Sequence, residues 1–297
     1  MTPIHDAVLE DRLRRHVERL AGEIGERNVF RPQALHAAEA YIHDVWTRQG
    51  YEVLAQEYLA ASVRSANLEI RVPGQEGEKI ILIGAHYDTV KPSPGADDNA
   101  SGVAVLLELG RLLRNVRPKR TLRLVAFVNE EPPFFFTKEQ GSRVYAQAAR
   151  RRGDPIVLML SLEMLGYYQD SPGSQQYPPV FRWFYPDRAN FIALVSNFRS
   201  RREMRRLATA FRAVSRFPLE QVATFSWIPG VAWSDHLSFW REGYRAMMLT
   251  DTAFFRNPHY HAATDIPETL DFRRMATVTE GLAAALADRQ GERSEGG

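Results

Sequence analysis

Residues 80–113 read IILIGAHYDTVKPSPGADDNASGVAVLLELGRLL, and the chemistry of the whole chain turns on this stretch. The apolar run Ile80 to Ile83 passes Gly84 and Ala85 and delivers His86 and Asp88, the pattern of a buried strand that ends in polar residues. A loop with two prolines and a glycine follows, and then Asp97, Asp98 and Asn99 stand before a helix whose apolar face is Val103, Leu106, Leu107 and Leu113. Adjacent aspartates repel each other. A helix N-terminus and a cation relieve the repulsion, and a metal that accepts imidazole and carboxylate ligands does so most directly. The competing explanation is that the aspartates simply cap the helix beside an unrelated histidine.

Upstream, Leu13, Val17 and Leu20 recur at helical spacing, and a second helix is expected from Pro32 to Gly50 over Leu35, Ala38, Ile42 and Val45. Tyr51 to Tyr58 and Asn67 to Val72 read as strands, the second with the alternation of an outer antiparallel strand. Downstream, Thr121 to Val128 is a second buried strand and ends in Asn129, Glu130 and Glu131. Gly141 to Arg150 reads as a helix, and Ile156 to Leu162 as a third apolar strand ending in Glu163. Beyond a polar loop from Asp170 to Pro179, Phe191 to Val195 and Ala246 to Leu249 are further strand candidates. A last helix is expected from Asp271 to Asp288 over Met275, Val278, Leu282 and Leu286.

Strands alternating with helices predict an α/β fold: a single three-layer αβα catalytic domain over 1–290 with a mixed, mostly parallel central sheet. The helices of 11–50 would pack on it, and 291–297 would form a flexible tail. In an open α/β sheet the ligand crevice lies beyond the carboxyl ends of the strands. His86, the pair Glu130 and Glu131, and Glu163 all stand at such ends.

Bulk composition narrows the function further. Of the 297 residues 44% are hydrophobic and 25% charged, with a net charge of +2, which is the composition of an ordinary globular protein. Arginines cluster at 111–123, 150–152 and 199–212, but the last cluster also carries Met204, Leu207, Phe211 and Val214 at helical spacing. It reads as an amphipathic helix with a solvated basic face, so no nucleic-acid partner is expected. The absence of cysteine excludes disulfides, thiolate catalysis and cysteine-type zinc sites, and any metal must sit on His, Asp and Glu. MTPIHDAVLEDRLRRHVERL has no apolar leader core and no run reaches membrane-spanning length, so a cytoplasmic chain without a membrane partner is expected.

A further unit, NPHYHAATD, places His259, His261 and Asp265 in a loop before the final helix. The segments GAHYDT, PGADDNASG, NEE followed by GSRVYA, SLEMLGY, SDH and YHAATD occur in this order along nearly the whole chain. Together they resemble the bimetallic zinc aminopeptidases of metallopeptidase family twenty-eight, the bacterial leucyl-aminopeptidase-like branch that is related to the glutaminyl cyclases and has a zinc-exopeptidase fold.

The resemblance implies two zinc ions held by His86, Asp97, Glu131, Glu163 and His261, with Asp97 shared. One zinc would take His86, Asp97 and Glu163, the other Asp97, Glu131 and His261, and a cis peptide would join Asp97 to Asp98. Glu130 would be the general base and Asp88 the carboxylate that orients His86. The implied activity is hydrolysis of the N-terminal peptide bond of peptides with a free N-terminus, through a water or hydroxide bridging the two ions.

One position departs from the resemblance: most of these aminopeptidases have Asp where this chain has Glu163, which alters the pocket that receives the substrate amine. Phe134, Phe135, Phe136, Phe254 and Phe255 are candidates for core rings or for walls of an apolar substrate pocket. Three other readings stay open. A glutaminyl cyclase-like acyltransferase would use a single zinc, a carboxypeptidase-like relative would need an arginine for the substrate carboxylate, and a non-catalytic binding module would have lost ligands.

Overall fold

The apolar runs become the strands of one sheet. In the computed structural model, which describes residues 7–76 and 78–287, these are β1 (Leu54–Ala60), β2 (Val63–Val72), β3 (Ile80–His86), β4 (Thr121–Phe127), β5 (Ile156–Glu163), β6 (Ile192–Asn197), β7 (Leu219–Thr224) and β8 (Ala246–Thr250). Their order across the sheet is β1-β2-β4-β3-β5-β8-β6-β7. Strands β4, β3, β5 and β8 are mutually parallel, as are β6 and β7, whereas β1, β2 and the β6–β8 pair contribute the antiparallel ladders. The expected mixed, mostly parallel α/β sheet is formed.

Helices cover both faces, which is why the central strands are apolar at nearly every position instead of alternating. On one face lie α1 (Ala7–Val17, prolonged by a π-helical segment Glu18–Ile24), α2 (Pro32–Arg48), α3 (Gly102–Leu113), α5 (Arg201–Val214) and α7 (Phe272–Ala287). Leu13, Ile42, Leu106, Phe211 and Leu282 of these helices share one buried cluster with Leu68, Ile83, Leu124, Leu160 and Leu194 of the sheet. On the other face α4 (Gly141–Arg152) and α6 (His236–Arg241) bring Tyr145, Ala149 and Phe239 against Leu82, Val125, Phe127 and Met159. Each such fully buried large side chain contributes about 1.5–3 kcal/mol relative to exposure. The basic residues Arg201, Arg202, Arg205 and Arg206 of α5 face solvent while Met204, Leu207 and Phe211 are buried, as the helical spacing predicts.

The structure differs from the sequence reading at two places. Strand β2 is not outermost: it is paired on both sides, Leu68, Ile70 and Val72 are buried, and β1 takes the edge. Strand β7 and helix α6 carry weak sequence signals, because LEQVAT is a short edge strand with a glutamate and a glutamine inside it and HLSFWR is under two turns long. Asp288, expected to end the last helix, and the tail 291–297 lie outside the described residues. Among the described residues, no helix is long and apolar enough to cross a membrane.

Two features hold the end of β3 in place. Arg27, fully buried between α1 and α2, donates hydrogen bonds to the carbonyls of Leu20, Gly25, Tyr87, Pro94 and Gly95, so the N-terminal helices are tied to the loop that follows His86. Gly84, two residues before His86, lies under the Phe127 ring, where an added Cβ would sit 2.2 Å from a ring carbon. Gly84→Ala therefore overpacks the sheet beside the site. We expect a loss of about 1–3 kcal/mol, read from the midpoint of urea unfolding; an unchanged midpoint would show that the ring yields freely.

Candidate metal centre

Parallel pairing sets the ends of β4, β3 and β5 side by side, and His86 is the last residue of β3 as Glu163 is of β5. Glu130 and Glu131 follow β4 by three and four positions, and His261 comes in from the loop before α7. The structure brings these residues together around Asp98. One carboxylate oxygen of Asp98 lies 3.3 Å from His86 Nε2, which is also 3.4 Å from Glu163 Oε1. Its other oxygen lies 3.2 Å from His261 Nε2, itself 3.3 Å from Glu131 Oε1. Two triads thus share Asp98, His86–Asp98–Glu163 and Asp98–Glu131–His261, with ligand atoms in each within 4.8 Å of one another. Glu130 adjoins His86 and Glu131 in a third grouping.

The expectation that Asp97 stands between the histidines is corrected. Asp97 points the other way, where Oδ1 accepts a hydrogen bond from the Gly166 amide at 2.8 Å and Oδ2 accepts one from Asn257 Nδ2 at 2.7 Å. The cis peptide is Asp98–Asn99, not Asp97–Asp98. The physical reason is a clamp: the carboxylate of Asp265 accepts from the amides of Asp97 at 2.9 Å and Asp98 at 3.0 Å, fixing the turn before α3. Gly95 precedes that turn with φ of 63°, and a Cβ there would meet the Asp98 carbonyl at 2.2 Å. Asn99 completes the turn, accepting from the amides of Gly102 and Met164 and donating to the Leu162 carbonyl.

Asp88 is also placed differently from its expected role. The ring Nδ1 of His86 faces the Asp88 main-chain carbonyl at 3.2 Å, while the Asp88 carboxylate is 3.7 Å away. That carboxylate instead accepts from the amides of Glu130 at 3.0 Å and Glu131 at 3.1 Å, so it positions the glutamate pair. An Nδ1–H donated to the carbonyl leaves the Nε2 lone pair of His86 directed at the carboxylates. Of the loop histidine and acid named beside His261, His259 is partly exposed on Thr264 Oγ1 and outside the cluster, and Asp265 is the clamp.

The electrostatics ask for a cation. For the protein groups alone, burial pushes the carboxyl of Glu131 up to about 8, with the charge of Asp98 adding to the effect, and Glu130 well above its ordinary range. Glu163 is raised as well, chiefly by burial. Burial works to lower the two imidazoles, yet Glu163, Asp88 and Asp98 raise His86 well above its ordinary value, and Asp98 and Glu131 raise His261 to about 10. Glu130 Oε1 and Glu131 Oε1 are buried without a hydrogen-bond donor. Buried carboxylate oxygens without a partner are costly, and a divalent cation on imidazole nitrogen and carboxylate oxygen relieves that cost. The donor set fits zinc.

Sequence reasoning quoted SDH without assigning Asp235 a role. Asp235 is buried at the start of α6 with neither carboxylate oxygen hydrogen-bonded, and burial holds it up at about 7, against the pull of His86. Its neighbour Ser234 donates to Glu163 Oε2 at 2.7 Å. Asn257 and Asp251 were likewise unassigned; Asp251 accepts from the amides of Tyr167 and Ala253.

Beside Glu163 opens a cavity of about 110 Å³ walled by Phe191, Ala193, Val195, Met248, Phe254 and Phe255. Of the phenylalanine candidates, Phe254 and Phe255 therefore line it, whereas Phe134 is core and Phe136 is exposed under Arg241. Tyr260, another lining residue, stacks on His261 with ring centroids 3.8 Å apart.

The sequence model of peptidase family M28 matches residues 67–286, a span that holds every residue of the cluster. The chain belongs to peptidase family M28. It is 38% identical over 294 residues to the uncharacterized protein YfbL of Escherichia coli (strain K12), covering 96% of this chain and 89% of that one. It is 29% identical to a probable leucine aminopeptidase of Arthroderma otae over 73% of this chain and 55% of the relative, so the M28 member described here spans about half the length of that enzyme. Among solved structures, the zinc aminopeptidase BSAP from Bacillus subtilis aligns with a TM-score of 0.71 at 15% identity, covering 93% of each chain. Fimbriiglobus ruber glutaminyl cyclase aligns with a TM-score of 0.69 at 20% identity, covering 97% of this chain and 96% of that one. The fold is thus common to both kinds of protein, and the M28 chain is a peptidase by family.

The clamp can be tested apart from any activity. Asp265→Ala leaves two buried amides at Asp97 and Asp98 without an acceptor, which should cost roughly 2 kcal/mol or more. Thermal unfolding of the zinc-free protein should show a lower midpoint; wild-type stability would mean that the turn before α3 does not depend on Asp265.

Proposed function

We propose that this M28 chain is an aminopeptidase that holds two zinc ions, one on His86, Asp98 and Glu163 and the other on Asp98, Glu131 and His261. The observation that carries the reading is the pair of triads sharing the Asp98 carboxylate, one oxygen toward each histidine. The zinc ions, when bound, supply a Lewis acid for the scissile carbonyl and acidify a water molecule.

Glu130 is the buried glutamate outside both triads, with Oε1 free to accept a proton. It takes the proton of the attacking water and passes it to the departing amine, so bond cleavage releases the first residue and a shortened peptide. Asp88 keeps Glu130 and Glu131 in fixed relation through their amides. The substrate's free α-amine docks beside Glu163, and its side chain enters the cavity next to that residue.

The leucine aminopeptidase relative and the two complete triads favour this reading over a cyclase that needs one zinc. A carboxypeptidase needs a cation for the terminal carboxylate, and among the described residues no lysine or arginine lines the cavity. Arg256 lies behind it with Nε and Nη1 engaged by Gln175, Thr252 and main-chain carbonyls.

Metal analysis distinguishes the two aspartates. Asp98→Asn weakens both triads at once, and zinc content is expected to fall from about two per chain to below one; Asp97→Asn should stay near two. The reverse order would return the shared position to Asp97.

The activity itself is tested with aminoacyl anilides in free and N-acetylated form. Free forms with apolar first residues should be cleaved, acetylated forms should not, and N-terminal glutamine should not lose ammonia. Glu130→Gln should lower kcat by about 10²-fold or more with zinc content unchanged. Equal rates on both forms would overturn the aminopeptidase reading.

A further inference from the structure

The cavity beside Glu163 is not apolar throughout. In the sheet register Glu163 of β5 is opposite Thr250 of β8, Thr250 is opposite Ala193 of β6, and Ala193 is opposite Glu220 of β7. These four residues form one row, and all four line the cavity. The next row on the same face runs Ser161, Met248, Val195 and Val222 and is apolar beyond β5. Two small residues thus floor a trough with a carboxylate at each end. Neighbouring strands are about 4.8 Å apart, so three steps set the backbones of Glu163 and Glu220 roughly 14 Å apart.

Glu220 is half-buried, and among the described residues no hydrogen bond or ion pair is made by its carboxylate. The nearby phenols do not serve it: Tyr177 donates to the Pro186 carbonyl and Tyr185 to that of Gln221. Arg212 turns one guanidinium nitrogen to the Leu219 carbonyl. Burial holds the Glu220 carboxyl above its ordinary value, with Arg212 only pulling the other way. Glu163 and Glu220 are the acids of the cavity, and no basic side chain among the described residues lines it.

We propose that Glu220 is a specificity-determining residue that selects peptides whose first residue is lysine or arginine. The inference rests on the docking of the free α-amine beside Glu163. From that carboxylate, a hydrogen bond to the α-amine, an extended lysine side chain and a second hydrogen bond to Glu220 add up to roughly 13 Å, and about 14 Å for arginine. That length is of the same order as the backbone span of the row, and both glutamate side chains line the cavity from its two ends. The methylene stem lies along Ala193 and the Phe254 and Phe255 rings while the cationic head meets the Glu220 carboxylate, which makes no hydrogen bond or ion pair among the described residues. A leucine side chain fills the near half of the trough and leaves Glu220 unpaired.

Binding and turnover are measured separately on the zinc-loaded full chain. L-lysinol and L-norleucinol carry the same free amine and a similar stem and differ by the terminal ammonium. Calorimetry should find lysinol bound about tenfold more tightly than norleucinol, and Glu220→Gln should bring the ratio to within about twofold. The glutamine keeps the size of the side chain at an edge strand, so folding is not at risk. Comparable binding of the two alcohols by the wild type, or a ratio that survives Glu220→Gln, overturns the proposal. Lysyl and norleucyl anilides are assayed alongside. A lysinol preference without hydrolysis of either anilide supports the role of Glu220 while refuting the aminopeptidase reading; hydrolysis without the preference does the opposite.

Discussion

Four carboxylates and two imidazoles converge in a buried space at the ends of β3, β4 and β5, and the rest of the molecule answers to that concentration of charge. For the protein groups alone, the surrounding carboxylates raise the histidines, and burial raises Glu130 and Glu131 above the ordinary carboxylate range. Charge of one sign cannot be gathered away from water without compensation, because desolvation penalises every ionised group. Positive charge at its centre relieves that cost.

Around the cluster the fold supplies further hydrogen bonds that leave the converging nitrogen and oxygen atoms free. Asp88 and Asp265 do not face the centre with their own oxygens; each takes two main-chain amides and so fixes the backbone of the residues that do. Asp97 has the same character, joining the segment after β5 to Asn257 before the histidine loop. Arg27 extends the network to the N-terminal helices. Removing such a residue acts through backbone position, which separates its effects from those of the cluster itself.

Much of this was legible in the sequence. Strand ends rich in His, Asp and Glu identified where chemistry gathers, and the ordered motifs identified the family. The side of the backbone to which each acid turns was not legible. In PGADDNASG two aspartates stand next to each other with the same chemistry, and only the clamp from Asp265, 167 residues beyond Asp98, shows that Asp98 faces the histidines. Strand β7 carries little sequence signal, because an edge strand need not be apolar.

The sequence by itself determined the layered α/β architecture, since runs buried on both faces must be apolar and helices must alternate with them. It also determined the residue types of the centre, because without cysteine only imidazole and carboxylate can gather there. Tertiary structure alone decided which of the adjacent aspartates is shared, that Asp88 serves the glutamate amides, and that Glu220 closes a row begun by Glu163. The physical reason is range: periodicity reports burial over a few residues, whereas orientation at a turn and register across strands are set by partners far away in the chain.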